Sequence, residues 1–301
     1  MGLAGDVRQV SRGWHWTHRP LVPRSAEAHQ PDRARREFPT GWARSRTMTA
    51  VRDGVHRFGL GPLLQAEIRT HVRGLDVLDH LEPPVIFIAN HSSHLDTPLL
   101  LLSLPDAWRR RTAVAAAADY FFDTWWRAVG SAVVFNTFPI ERRSGSLAAT
   151  PGRVLDDGWN VVVFPEGTRS PDGWVGTLRP GAAYLAAAHR VPVVPVALRG
   201  SFAAMPRGRG WPLPGRPPVR VRFGPPLWVG DGEPARDFAR RMSASLAQLL
   251  DEDASTWWDA ARRAADGTTP AASGPPVAKW RRTWESSTPP AIPVRRGAWK
   301  G

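Results

Sequence analysis

The sequence predicts an α/β fold in which helices cover a mixed central sheet. Short apolar runs alternate with stretches of helical periodicity through the middle of the chain, which is the pattern of layered α/β domains. Two of these runs, Val85–Ala89 and Val161–Phe164, are apolar at every position, which indicates strands buried on both faces. The chain has 301 residues, of which 42% are hydrophobic, so it can bury one large core.

The elements can be placed in order along the chain. From Thr49 to Val72 apolar residues recur at near-helical spacing around Gly59–Pro62, which predicts two short helices or one broken helix. Strands are then predicted at Val72–Leu78, Val85–Ala89, Thr112–Ala116, Phe135–Ile140, Val161–Phe164, Val193–Leu198 and Val219–Phe223. Helices are predicted at Thr97–Leu104, Phe122–Val129, Ser146–Asp157 and Pro180–Ala188, with a long final helix at Pro234–Ala265.

Composition divides the chain into three parts. Residues 1–48 hold nine arginines against four acidic residues, and residues 266–301 hold six basic against two acidic residues. Both segments are rich in proline, glycine and serine and lack an apolar period, which predicts disordered basic tails around one folded domain at 49–265. Met48 lies directly before this domain and is an alternative to Met1 as the start codon.

The charge and the missing cysteines narrow the function classes. A formal charge of +13 suits an anionic membrane surface or a nucleic acid, and the charge alone does not separate the two. Without cysteine the chain has no disulfide, thiolate metal site or enzyme-bound thioester. We find no apolar run of the ~18 residues that a spanning helix needs, and no apolar signal core. We therefore expect a cytoplasmic protein, peripheral on the inner face of the cell membrane.

A histidine and an aspartate follow the first buried strand. The segment Asn90–Pro98 places polar residues between that strand and a helix, at the sheet edge where ligand sites gather in such folds. Five residues would separate His91 and Asp96 by about 140° on a continuous helix, so they pair only across a turn-to-helix junction. The carboxylate would then orient one imidazole nitrogen and leave the other as a general base.

Other roles for this segment stay open. A helix-capping Asp96 beside a satisfied His91 would explain the same residues without chemistry. His94 competes as the base, and Ser92 or Ser93 could act as a nucleophile, although no Gly-x-Ser-x-Gly elbow surrounds them.

A second polar turn follows the buried strand Val161–Phe164. Gly167 permits close approach of the backbone to a ligand, and Thr168 and Arg169 can donate to phosphate oxygens. Glu166 supplies a carboxylate beside this cation. A local ion pair between Glu166 and Arg169 is the alternative interpretation.

Two further segments are less specific by themselves. In Phe138–Arg143, Arg142 and Arg143 follow a predicted strand at the start of a loop. If the strand geometry persists, their side chains diverge and only one of them can easily face a site. The alternative interpretation is a run of solvated charges. Val191–Leu198, which contains Pro195, reads as a core strand.

Together the four segments resemble the motif blocks of a known family. Asn90–Asp96, Phe138–Arg142, Phe164–Ser170 and Val191–Leu198, in this order and at these separations, are similar to the four blocks of glycerolipid acyltransferases of the lysophosphatidate acyltransferase type. The resemblance covers about Val72–Phe223. It implies transfer of a fatty acyl group from acyl-CoA or acyl carrier protein to the hydroxyl of 1-acyl-glycerol-3-phosphate in phospholipid biosynthesis, with no further cofactor and no metal.

The resemblance also implies residue roles. His91 deprotonates the acceptor hydroxyl and Asp96 orients it, while Pro195 helps to form the acyl-donor pocket. The acceptor phosphate and glycerol are held by Arg142, Glu166, Gly167, Thr168 and Arg169. The second block departs from the family pattern, which has a glycine ahead of its aromatic residue where this chain has Asn136-Thr137-Phe138. The membrane-entering helices of the family are poorly represented in Thr49–Val72, so we expect interfacial attachment and no nucleic-acid partner.

Three other functions fit parts of the same pattern. The acceptor could be another lysophospholipid or a glycolipid, chosen by pocket walls for which the candidates are Phe121, Trp125, Trp126 and Trp174. The His–Asp pair could activate water in a thioesterase. The basic chain could also be a lipid-binding or nucleic-acid-binding protein without catalysis, although such a protein would have no use for the His–Asp pair.

Overall fold

In the computed structural model, the described residues are 40–117, 125–140 and 149–290. The predictions made for Phe121, Arg142 and Arg143 fall outside these residues, and so do both ends of the chain.

After a 3-10 helix at Gly41–Arg44, the chain forms a helix that widens for one turn. Helix α1 spans Arg46–Val55, continues through a π-helical turn at His56–Leu60, and ends as α2, Gly61–Glu67. Pro62 has no amide hydrogen to continue the regular ladder, and a Cβ on Gly61 would lie 2.6 Å from the carbonyl oxygen of His56. The sequence signal for a break therefore corresponds to a deformed but continuous helix.

A seven-stranded mixed sheet organises the described residues. Its strands are β1 Arg69–Arg73, β2 Ile86–Ala89, β3 Thr112–Ala117, β4 Thr137–Ile140, β5 Asn160–Val163, β6 Val193–Arg199 and β7 Pro218–Phe223. They lie in the order β1-β7-β6-β2-β5-β3-β4. The β6–β7 pair is antiparallel and the other described pairs are parallel, which confirms the predicted mixed sheet.

Helices connect the strands and cover the sheet. The remaining ones are α3 Asp96–Ser103, α4 Asp106–Arg110, α5 Trp125–Phe135, α6 Ala149–Asp156, α7 Gly181–His189, α8 Ser201–Ala204, α9 Ala235–Ala254, α10 Trp257–Ala265 and α11 Lys279–Ser286. Across 40–117, 125–140 and 149–290, no helix is both long and apolar enough to cross a bilayer.

The strand β2 is buried on both faces, as its uniform apolar sequence predicted. Phe87 packs in one core cluster with Leu99 of α3, while Ile86 and Ile88 pack in a second cluster with Ala183 of α7. All three β2 side chains are completely buried. Strand β2 lies between β5 and β6 and is parallel to both, so the carboxyl ends of the three strands meet at one edge of the sheet.

Three predicted boundaries are wrong. The first strand is Arg69–Arg73 rather than Val72–Leu78, because Gly74 adopts φ +76° and turns the chain into a 3-10 helix. Phe135 ends α5 instead of beginning β4. The long final helix is two helices, since the hydroxyl of Thr256 accepts the amide hydrogen of Asp259 and starts α10.

Part of the C-terminal segment that composition assigns to a disordered tail is an ordered helix. Arg282 of α11 donates from Nε to the carboxylate of Asp172 across 2.7 Å, and the indole Nε1 of Trp174 donates to the carbonyl of Arg282 across 3.0 Å. Hydrogen bonds and an ion pair to a distant segment hold α11 in place. Apolar periodicity in the sequence does not predict such contacts.

Candidate active site

The site is built at the carboxyl edge of β2, β5 and β6. The side chain of Asn90, one residue past β2, donates to the carbonyl and accepts from the amide of Leu198 in β6, each across 2.8 Å. This pair of bonds extends the contact between the two strands beyond their last paired residues, Ala89 and Val196. The residue that follows Asn90 is therefore held at a fixed place on the edge.

A buried carboxylate orients His91. Helix α3 begins at Asp96, whose side chain is inaccessible to solvent, and its Oδ2 lies 2.9 Å from Nδ1 of His91. The same oxygen accepts the amide hydrogens of Ser92 and Ser93 across 2.6 and 2.7 Å. Since an ionised carboxylate only accepts, Nδ1 carries the proton of the neutral ring and Nε2 is the basic nitrogen. The pairing across a turn-to-helix junction is confirmed.

His91 is fixed at its backbone as well as at its ring. Its amide donates to Oε1 of Glu166 across 2.6 Å, and its carbonyl accepts the amide hydrogen of Ser170 across 2.7 Å. The imidazole stacks on the ring of Phe164 with centroids 4.2 Å apart and an angle of 24°. These contacts hold the ring in place. Because 19% of the side chain remains exposed, the ring is still accessible to a ligand.

Glu166 links the two loops that follow β2 and β5. Its Oε1 accepts from His91, its Oε2 accepts the amide hydrogen of Gly176 across 2.7 Å, and only 6% of the residue is exposed. Burial raises the pKa of Glu166 to about 7; the two amide donors oppose this shift, and the charges of Asp96 and Asp172 add to it. The carboxyl therefore titrates near neutral pH while tying the loops together.

A cationic cleft adjoins Glu166. It has a volume of about 290 Å³, and its lining residues include Arg169 and Arg179. The other lining residues are Glu166, Thr168, Ser170, Pro171, Gly176 and Thr177. Two guanidinium groups with threonine hydroxyls match the oxygens of a phosphate group. Backbone amides donate to both oxygens of Glu166.

Arg179 is a residue that the sequence reasoning missed. It follows Arg169 by ten positions and lies outside the resembling blocks, two residues before α7 begins. Gly167 adopts φ +71°, and a Cβ there would lie 3.2 Å from Nε of Arg179, so the glycine gives this side chain room. The only signal for Arg179 in the sequence was its position before Pro180, and arginines next to a proline at the start of a helix are common.

The competing residues of the first loop are placed less favourably. Burial, followed by the charges of Arg169 and His91, lowers the pKa of His94 to about 4, so His94 accepts a proton weakly near neutral pH. The Ser93 hydroxyl donates to the carbonyl of Met205 across 2.8 Å, and the Ser92 hydroxyl lies 3.1 Å from that of Ser201. Both serines are buried, which disfavours a serine nucleophile.

Three other predicted residues do not line the cleft. Pro195 is buried within β6 opposite Ile88, so it shapes the sheet and is not among the cleft-lining residues. Trp174 donates its indole hydrogen to α11, which accounts for it by packing, and Trp126 is 57% exposed. In the part of the chain that the structure describes, histidines and carboxylates form no group of three that could hold a metal ion.

Comparisons with known proteins point to one kind of enzyme. A family model described as Acyltransferase matches residues 69–199. The chain is 30% identical over 184 residues to the chloroplastic 1-acyl-sn-glycerol-3-phosphate acyltransferase BAT2 of Brassica napus, covering 60% of this chain and 52% of that protein. It is 30% identical over 164 residues to the mouse 1-acyl-sn-glycerol-3-phosphate acyltransferase alpha, covering 51% and 54%. The chain thus spans about half the length of the curated relatives it matches.

A solved structure supports the fold. The 1-acyl-sn-glycerophosphate acyltransferase PlsC of Thermotoga maritima superposes with a TM-score of 0.53 at 22% identity, covering 69% of this chain and 81% of that one.

The raised pKa of Glu166 predicts a pH-dependent stability that Glu166→Gln removes. Between pH 4.5, the ordinary pKa of a glutamate, and about pH 7, the carboxyl of Glu166 holds a proton in the folded protein that it has released in the unfolded chain. This contribution to the free energy of unfolding is complete below pH 4.5 and falls by up to about 3 kcal/mol as the pH rises to 7. Urea denaturation of both proteins from pH 4.5 to 8 should show their difference in unfolding free energy declining across this window. A difference that stays constant with pH would contradict the assigned burial of the carboxyl.

Proposed function

We propose that this chain, whose residues 69–199 match the Acyltransferase family model, transfers a fatty acyl group to a lysolipid phosphate. The acceptor in this proposal is the free hydroxyl of 1-acyl-glycerol-3-phosphate, and the donor is acyl-CoA or acyl carrier protein. The product is phosphatidate, so the reaction belongs to phospholipid biosynthesis. The observation that carries the proposal is the contact of Nδ1 of His91 with buried Asp96 beside a cleft lined by two arginines.

The proposed chemistry uses His91 as general base. Nε2 accepts the proton of the acceptor hydroxyl while the hydroxyl oxygen attacks the thioester carbonyl. Asp96 stabilises the imidazolium that results. The tetrahedral intermediate then expels the thiolate, which takes the proton from Nε2, so an ester and a free thiol are formed and His91 is neutral again. A positioned base of this kind contributes ~10²–10⁴ in rate.

Direct transfer needs no nucleophile from the enzyme, and two observations favour it. The chain has no cysteine, and the hydroxyls of Ser92 and Ser93 are buried in contacts with other residues. Water could replace the acceptor in a thioesterase. However, a thioesterase has no use for a second anion site beside the base, and the cleft at Arg169 and Arg179 is such a site.

We assign the cleft to the acceptor phosphate and glycerol. Arg169, Arg179 and Thr168 supply donors, while Glu166 joins the cleft to the backbone of His91 and so fixes the distance between phosphate and base. Arg142 remains a proposed further phosphate ligand. For the membrane, Phe58 and Leu63 are 79% and 44% exposed, and such side chains support peripheral attachment at the inner face of the cell membrane.

The transferase proposal predicts different losses for two histidine variants. Purified protein with radiolabelled acyl-CoA and lysophosphatidate should form phosphatidate, whereas acyl-CoA with water alone should release little free fatty acid. His91→Ala should lower the transfer rate about 10³-fold because the base is gone, and His94→Ala should lower it less than about tenfold. Equal losses in the two variants would contradict the assignment of the base. Fatty acid release at the same rate with and without acceptor, and no phosphatidate, would exclude the transferase.

The cleft assignment predicts a selective effect on the acceptor. Arg179→Ala removes a charge-assisted hydrogen bond and should raise the KM for lysophosphatidate about 10- to 100-fold. The KM for acyl-CoA should change less than about twofold, and Arg142→Ala should also act on the acceptor constant. Arg209→Ala, an exposed arginine that does not line the cleft, is the matched control and should change neither constant. A larger effect of Arg179→Ala on the donor than on the acceptor would move the phosphate site elsewhere.

A further inference from the structure

Helix α11, Lys279–Ser286, has a face that is bonded to the rest of the protein. Beyond its ion pair with Asp172, Arg282 donates from its two terminal nitrogens to the carbonyls of Pro275 and Ser273 across 3.0 and 2.7 Å. Ser286, one helical turn later, donates its hydroxyl hydrogen to the carbonyl of Asp172. These bonds fix the rotation of the helix about its own axis.

The opposite face of α11 presents two tryptophans to solvent. Trp280 and Trp284 each stand two positions from Arg282, which places them about 200° around the helix from the bonded face. They are four residues apart, so both indoles lie on one stripe, and they are 73% and 68% exposed. Two adjacent large apolar side chains on an otherwise docked helix form an exposed patch of the kind that marks an interaction surface.

The charges around these indoles indicate the chemistry of the partner. Lys279 and Arg281 are exposed on the same helix, and Glu285 pairs with Arg281 across 3.1 Å. Indoles flanked by cations are typical of interfacial helices, because the ring lies at the headgroup level and the cation meets the phosphates. The formal charge of +13 on the whole chain has the sign that anionic headgroups attract.

The bonded face connects α11 to the candidate active site. Asp172 and Trp174, which hold the helix, lie in the middle of a loop whose two ends line the cationic cleft. Ser170, just before this middle part, donates its amide hydrogen to the carbonyl of His91. Gly173 leaves room for the contact, since a Cβ there would lie 2.7 Å from the side chain of Ser286. The exposed indoles are thus attached to the loop that shapes the cleft.

From these observations we infer that α11 docks the protein onto an anionic lipid bilayer, with Trp280 and Trp284 as its interfacial anchors. Docking holds the cleft-bearing loop at the surface from which a lipid acceptor is drawn. This role of docking in acceptor supply rests on the proposed function, whereas the docking of α11 to the bilayer does not. A nucleic-acid surface fits less well, because it needs a cationic groove that follows a phosphate backbone, and α11 offers two exposed cations and one acid.

Vesicle flotation of the full chain tests the docking without any turnover. Wild-type protein should float with vesicles of phosphatidylcholine and phosphatidylglycerol more than with phosphatidylcholine alone. The double variant Trp280→Ala/Trp284→Ala should lower the partition coefficient on the mixed vesicles about tenfold. Trp228→Ala is the matched control and should change it less than about twofold. Trp228 is 55% exposed and follows Leu227, which pairs with the first residue of β6 at the opposite edge of the sheet.

Three outcomes decide the inference. Flotation of the double variant at the wild-type level, with an unchanged circular dichroism spectrum, overturns it. Loss of binding to a double-stranded DNA fragment in the double variant, with flotation unchanged, also overturns it and assigns the patch to nucleic acid. Reduced flotation in the double variant alone supports it, even if no acyl transfer is detected, so its failure and the failure of the proposed reaction are distinguishable. With active protein, the double variant should also lose transfer to vesicle-bound acceptor and keep transfer to a soluble short-chain acceptor.

Discussion

The site depends on one buried carboxylate, that of Asp96. Removing this group from water would cost several kcal/mol without partners, and three N–H groups converging on Oδ2 from His91, Ser92 and Ser93 offset that cost. The bonds to the two amides fix the path of the turn between β2 and α3. The path of this turn then fixes the position of the His91 ring. The tautomer of the ring follows from the same contact. The path of the chain and the position of the ring proton are therefore consequences of one carboxylate oxygen.

A second buried carboxyl group extends this arrangement to the cationic cleft. Glu166 connects the backbone of His91 to that of Gly176, and its raised pKa reflects burial first and then the nearby charge of Asp96. Both carboxyl groups are buried, and the charge of Asp96 acts on Glu166. Helix α11 completes the arrangement by fixing the outer part of the same loop through Asp172. His91, the cationic cleft and the exposed indoles thus form one connected unit.

The sequence predicted the parts of this unit that depend on apolar burial or on short spacing. The uniform apolar runs identified β2 and β5, and the five-residue spacing required His91 and Asp96 to meet across the start of a helix. The position of Arg179 in the lining of the cleft was not predictable from the sequence, because it depends on the course of a long loop and on the space left at Gly167. Helix α11 was also missed, since bonds from Arg282 and Ser286 to a distant loop position it. The shift of β1 to Arg69–Arg73 was missed because this partly exposed strand shows little apolar periodicity.

The central claim is that Asp96 holds the neutral imidazole of His91 with its proton on Nδ1. Nitrogen-15 NMR correlation spectra of the labelled protein, with the ring of His91 assigned by comparison with His91→Ala, measure this directly. At a pH where the ring is neutral, we expect the chemical shift of a protonated nitrogen at Nδ1 and of an unprotonated one at Nε2. A neutral His91 with its proton on Nε2 would contradict this assignment, because no basic nitrogen would then be available to the proposed acceptor hydroxyl.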